Sequence, residues 1–142
     1  MVQLQDYKDK EQIMRLLMYY DGTDHTRDAL NTVKEIAKGM NAMVHVVSSL
    51  SGWSHLEVKI IDEMENGLNY IKEHLEKERI PCETHLLVRG KNPGEDIVDV
   101  ANKYQVDEII IGTNRKTKIE KFMPGWFINH VIDRARCPVL IV

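Results

Sequence analysis

Asp107-Glu108-Ile109-Ile110-Ile111-Gly112, continued by Thr113-Asn114-Arg115 and, past a basic loop, by Pro124-Gly125-Trp126, is the stretch on which the fold turns. A short apolar run closed by glycine fits a strand covered on both faces, the condition of strands in a parallel sheet. A glycine directly after such a strand lets backbone come close to a phosphate. The N-terminus of the following helix adds N–H donors and a favourable dipole. The residues at the remaining loop positions then decide whether a nucleotide fits.

Working outward, strand-like and helix-like patterns alternate. Met14 to Tyr20 is a near-continuous apolar run that stops at the turn cluster Asp21-Gly22-Thr23-Asp24. Thr26 is suited to cap a helix on which Ala29, Leu30, Val33, Ile36, Ala37 and Met40 recur at helical spacing, with Gly39 as its stop. Met43 to Val47 reads as the second strand and Ser48 to His55 as a loop. A long helix then carries Ile61, Met64, Leu68, Ile71 and Leu75, slightly weakened by Gly67. Cys82 to Val88 is the third strand. Asn92-Pro93 opens a helix with Ile97, Val98, Ala101 and Tyr104, Pro93 suiting the first helical position. Glu108 to Ile111 is the fourth strand. A short helix through Phe127, Val131 and Ile132 ends near Ala135, and Pro138 to Val142 is the fifth strand. Because each parallel crossover needs a covering helix, this alternation predicts a doubly wound five-stranded parallel α/β sheet with helices on both faces. Ligands of such sheets bind beyond the carboxyl ends of the strands, where the winding reverses. If the first and fourth strands flank that point, Asp21 and Gly112 face one crevice.

At 142 residues, 43% hydrophobic and 29% charged, the chain suits one domain, residues 1–142, with 1–12 as a polar extension. A net charge of −3 supplies no global basic field, which argues against nucleic acid as the main partner. Cys82 and Cys137 are far apart and in no metal-type spacing, as expected of reduced thiols. Without a signal-like or bilayer-length apolar run, the expected location is the cytoplasm, with no membrane partner.

Several stretches together carry a family resemblance: Arg15 through Asp21-Gly22-Thr23-Asp24-His25-Thr26, Val44-His45-Val46-Val47, Gly90 through Pro93 on to Ile97, Ala101 and Gly112, and Ala135-Arg136-Cys137-Pro138-Val139-Leu140-Ile141-Val142. From about Met14 onward the chain resembles the universal stress protein family. The resemblance implies strand order 3-2-1-4-5, an adenine nucleotide alpha hydrolase-like fold, and a homodimer. It also implies ATP or AMP as the ligand of many members, with regulatory or protective roles and no settled reaction.

In the nucleotide-binding branch the loop after the fourth strand reads Gly, two residues, Gly, nine residues, then Gly followed by Ser or Thr. This chain keeps Gly112 and Gly125 in frame, but Arg115 stands for the second glycine and Trp126 for the hydroxyl. A non-glycine residue forced left-handed loses about 1–2 kcal/mol, and a lost hydroxyl bond about 0.5–1.5 kcal/mol. A combined loss of about 2–3 kcal/mol weakens a micromolar site roughly a hundredfold. Against this, Arg115, Lys116 and Lys118 offer side-chain donors to phosphates; the competing reading is a solvated basic loop. By resemblance, Asp21 contacts the nucleoside and Val46 presents backbone to adenine. Read from the residues alone, Asp21 is equally a turn-and-cap carboxylate and Val46 a core valine. Thr113 is a phosphate donor or a satisfied helix end, and Trp126 a cover for the crevice or core.

Enzyme classes fit poorly. An aspartyl phosphotransferase would place its nucleophile where Tyr19 stands, a receiver domain would need an aspartate where Val88-Arg89-Gly90 stands, and no nucleophile elbow or glycine-lysine loop occurs. No catalytic residue is expected, and very slow ATP hydrolysis is a second alternative. His25, His45, His55, His74, His85 and His130 are read as scattered, without metal-ligand spacing, so no metal is expected. Pro138 to Val142 has no charged side chain to protect an edge strand, which favours a homodimer through that strand. The expected function is a regulatory or binding protein of the stress response with weak or absent ATP binding, or else an ATP- or AMP-binding one whose occupancy acts on a protein partner.

Overall fold

The computed structural model describes residues 13–50, 58–113 and 125–142. Along the chain they form β1 (Met14–Tyr19), α1 (Asp24–Lys38), β2 (Ala42–Ser49), α2 (Val58–Lys77), β3 (Cys82–Leu87), α3 (Pro93–Lys103), β4 (Glu108–Ile111), α4 (Gly125–Arg134) and β5 (Val139–Ile141). All strand pairs are parallel and the order is β3-β2-β1-β4-β5. The winding therefore reverses between β1 and β4, the order that the family resemblance implies.

One row of the sheet runs Leu140, Ile110, Met18, Val46, Thr84. Because successive strand residues point to opposite faces, Met18, Val46 and Ile110 pack under α1 and α2 with Leu30, Val33, Leu68, Ile71 and Leu75. Leu17, Val47, Ile109 and Ile111 pack under α3 and α4 with Ile97, Val98, Ala101 and Val131. Each fully buried Leu or Ile of these layers is worth about 1.5–3 kcal/mol of transfer free energy, so both faces are needed to offset the entropy of ordering the chain.

Local details depart from expectation in instructive ways. Helix α1 begins at Asp24, with Thr23 in extended conformation at the cap position. Thr26 is thus in the first turn and not the cap, because its hydroxyl is drawn to Asp21 Oδ1 and to the Thr23 carbonyl, each 2.9 Å away. Gly39 does end α1, yet with φ −79°, a conformation open to any residue, and Met40 falls beyond the helix and is exposed. Helix α3 starts as predicted: Asn92 accepts from the Glu95 N–H at 2.9 Å and its amide donates to the Glu95 carboxylate at 3.0 Å, with Pro93 opening the helix. Gly67 is more than a weak point in α2. A Cβ there would lie 2.3 Å from the Tyr20 hydroxyl oxygen, so glycine is what lets α2 cross the Tyr20 ring. Among the described residues no helix is long and apolar enough to cross a membrane.

Candidate functional site

Asp21 stands where the chain leaves β1, beside the point where the winding reverses. Its Oδ1 accepts from the Thr23 N–H at 2.9 Å and from the hydroxyls of Thr23 and Thr26. Its own N–H donates to Thr26 Oγ1 at 3.3 Å. Ser48, at the end of β2, donates to the Tyr20 carbonyl at 2.6 Å and fixes the same corner from the other side. The carboxylate thus holds the β1–α1 turn together, while remaining on the wall of a crevice.

That crevice, about 340 Å³, lies between Tyr20, Asp21, Gly22 and Thr23 on one side and Ile60, Glu63 and Met64 of α2 on the other. Its size is at the lower end for small-molecule clefts, which run from about 300 to 1,000 Å³. Met64 is expected only in the apolar stripe of the long helix, and Ile60 and Glu63 are not singled out by the sequence, although Ile60, Met64 and Gly67 stand at helical spacing on one face. The arrangement suits a small ligand with an apolar ring against Met64 and Ile60 and hydroxyl donors toward Asp21.

Gly112, Thr113 and Val46 are placed differently. Val46 is fully buried between Met18 and Thr84. At Gly112 a Cβ would lie 2.2 Å from the His25 carbonyl oxygen and 3.1 Å from Thr26 Cα. The glycine therefore allows β4 to end directly beneath the first turn of α1, and Thr26 links the backbone packed on Gly112 to the carboxylate of Asp21. The Thr113 N–H donates to the Val142 carbonyl at 2.8 Å, and its hydroxyl lies 3.3 Å from the same oxygen, tying the exit of β4 to the end of β5. Gly125 is the first residue of α4. Arg115, Lys116 and Lys118, with the rest of Asn114 to Pro124, and the side chain of Trp126 lie outside the described residues.

A buried polar cluster at the carboxyl end of β3 was not anticipated. Asp96 in the first turn of α3 is fully buried and accepts from Ser49 Oγ at 2.5 Å, from Arg89 Nε at 3.0 Å and from Arg89 Nη2. Arg89 also reaches Asp99 at 2.9 Å, and the Asp96 bond above all holds its guanidinium even more firmly charged than usual. Burial, then the charges of Asp21 and Asp96, push the Tyr19 hydroxyl well above the usual phenol range, so it stays neutral at pH 7. The histidines are not all scattered: His45 and His85 meet Glu83 on the α3 face of the sheet.

A five-stranded parallel sheet ordered 3-2-1-4-5, covered on both faces and opening at the β1–β4 reversal, places the molecule in the adenine nucleotide alpha hydrolase-like class of α/β folds. The profile of the universal stress protein family matches residues 12–142, and the chain belongs to that family. A universal stress protein of Methanocaldococcus jannaschii is 30% identical over 139 residues, which span 90% of this chain and 81% of the relative. The solved structure of a universal stress protein from Archaeoglobus fulgidus is 31% identical, with TM-score 0.77 and coverage of 95% of this chain and 97% of that one. A structure of the universal stress protein from Archaeoglobus fulgidus in complex with dAMP is 29% identical, with TM-score 0.71 and coverage of 92% and 98%.

Proposed function

We propose that this chain is a universal-stress-type regulatory or binding protein of the stress response whose nucleotide site is weak or lost. The observation that carries this reading is that the polar groups expected to hold a nucleotide already bond within the fold. Asp21 Oδ1 is engaged by Thr23 and Thr26, and the N–H and hydroxyl of Thr113 both face the Val142 carbonyl. A ligand must compete with those bonds, each worth about 0.5–1.5 kcal/mol net. The substitutions Arg115 and Trp126 in the loop add to the cost. No catalytic residue is assigned; turnover of ATP abolished by Asp21→Ala would be needed to assign one.

The second reading keeps ATP or AMP, held by Asp21, Val46, Gly112, Thr113 and Gly125, with occupancy altering the surface offered to a protein partner. The dAMP complex of the Archaeoglobus fulgidus relative and the crevice beside Asp21 favour it. In either reading we propose a cytoplasmic homodimer through Pro138 to Val142. Its support is that β5 is one of the two edge strands of the described sheet and has no charged side chain to guard its edge.

Titration calorimetry with ATP and Mg²⁺, and separately with AMP, tests the two readings, with Arg115→Gly/Trp126→Ser as comparison and light scattering on the same samples for mass. The expected outcome is no binding tighter than about 100 μM by the unmodified protein, a dimer mass, and binding restored in the double variant. Micromolar binding by the unmodified protein would instead establish the second reading, and a monomer mass would remove the dimer.

A further inference from the structure

The face of the sheet under the end of α3 carries a side-chain cluster that plays no part in the nucleotide crevice. His45 on β2 stands opposite Glu83 on β3, and Val47 opposite His85, so His85 is the diagonal neighbour of His45 on the same face. His45 Nδ1 lies 3.0 Å from His85 Nε2 and 3.7 Å from a Glu83 carboxylate oxygen, and one donor atom from each residue falls within 4.8 Å of the other two. We propose that His45, Glu83 and His85 form a binding site for a borderline divalent transition-metal cation, Zn²⁺ first among them.

The donor set is two imidazoles and one carboxylate, a set that zinc accepts with a fourth position left open. Bonds of about 2.0–2.1 Å in tetrahedral array put ligand atoms about 3.3 Å apart. The two separations at His45 Nδ1 fall on either side of that value. The 3.0 Å contact is by itself a histidine–histidine hydrogen bond, and the β2–β3 register brings the Glu83 carboxylate to the same ring nitrogen as a third donor. The rings are also held in place: the Tyr104 ring stacks on His45 with centroids 4.5 Å apart and lies against His85 at 4.9 Å. Such support orients ligands before an ion arrives.

Access and charge fit as well. His45 is buried, His85 is half-buried and Glu83 is exposed, so the cluster is closed behind and open in front. A cation can enter on the Glu83 side with a water in the open position. Burial, and then the neighbouring His85, hold His45 below the usual histidine range, and burial does the same for His85. Both rings are therefore neutral at pH 7, the form that binds metal. Arg15 and Lys103 stand close enough to act on these rings and to oppose a cation, and the Glu83 carboxylate offsets them.

The test is titration of untagged, chelator-treated protein with Zn²⁺ by calorimetry, with Co²⁺ absorption as the reporter of geometry, on the unmodified protein, His85→Asn and Glu83→Gln. His45 is left intact because it is buried, and the metal-free melting temperatures of the two variants check that they fold. We expect one Zn²⁺ per chain and the visible bands of four-coordinate Co²⁺. Each variant should weaken binding more than tenfold, since even changes outside the ligand set cost about 10–100-fold, and should lose those bands. No saturable Zn²⁺ binding by the unmodified protein, or binding unchanged in both variants, would overturn the proposal. Neither result bears on nucleotide affinity.

Discussion

Among the described residues, and leaving aside tyrosine and cysteine, the buried polar side chains on the face covered by α1 and α2 are the hydroxyls of Thr26 and Ser48; on the face covered by α3 and α4 they are the ionisable side chains of His45 and Asp96. The hydroxyls are satisfied nearby, by Asp21 and the carbonyls of Thr23 and Tyr20, so they fix one corner of the molecule, the turn after β1. His45 and Asp96 are met by side chains from other elements: Glu83 and His85 on β3 for the first, Ser49 and Arg89 for the second. They tie β2, β3 and α3 to one another. A buried ionisable group costs far more than a hydroxyl unless it is paired, so the second face holds polar chemistry that its neighbours must keep in register.

Both faces are full cores, and adjacent residues of β4 put this to the test. Ile109 and Ile110 are both fully buried, on opposite faces. Ile109→Ala and Ile110→Ala should each lose about 2–5 kcal/mol in urea unfolding. A cost confined to one of them would show that one face is only a cover. A smaller effect is expected at the two glycines where helices touch the sheet. Gly112→Ala should cost about 1–3 kcal/mol, because its Cβ would meet the backbone of His25. Gly67→Ala should cost less, since the atoms it meets are the end of the Tyr20 ring. The reverse order in the same unfolding assay would mean that α2, not α1, sets the spacing at this corner.

The two cysteines differ in how far their faces cover them. Burial pushes the Cys82 thiol, on the α1–α2 face, up to about 12, and burial also raises Cys137, which packs on the other face and is only partly covered. A raised thiol pKa leaves little thiolate at pH 8. Alkylation at that pH, followed by mass spectrometry, should modify Cys137 first and Cys82 only once denaturant is added. Equal rates would show that the β3 edge opens readily.

The strands and the parallel, doubly wound sheet were legible because each apolar run is short, is bounded by turn residues and alternates with a helical stripe; the order of the strands came from the family resemblance. Glu108–Ile111 and the capped start at Asn92 stand where the sequence puts them. The side-chain sites were not. That Glu83 faces His45 depends on the β2–β3 register, and no local pattern reveals it. The partners of Asp21 were half legible. The Asp-Gly-Thr-Asp turn announces a cap, but the choice of Thr23 over Thr26 at the helix start depends on where the Thr26 hydroxyl finds acceptors. Gly67 reads as a flaw in a helix until the Tyr20 ring is placed against it.

The central position of β1 also has a consequence for the order in which the chain comes together. One side of β1 pairs with β2, soon after it in sequence, but the other side waits for β4: Arg15 and Asp107, which bond at 2.8 Å, are 92 residues apart. Closing so long a loop is slow because its entropy must be spent before the contacts repay it. As the protein leaves the ribosome, β1, β2 and β3 can assemble early, while the central strand of the finished sheet still has an open side. Until Glu108 emerges, that side is the place where a nascent chain is most exposed to pairing with the wrong neighbour.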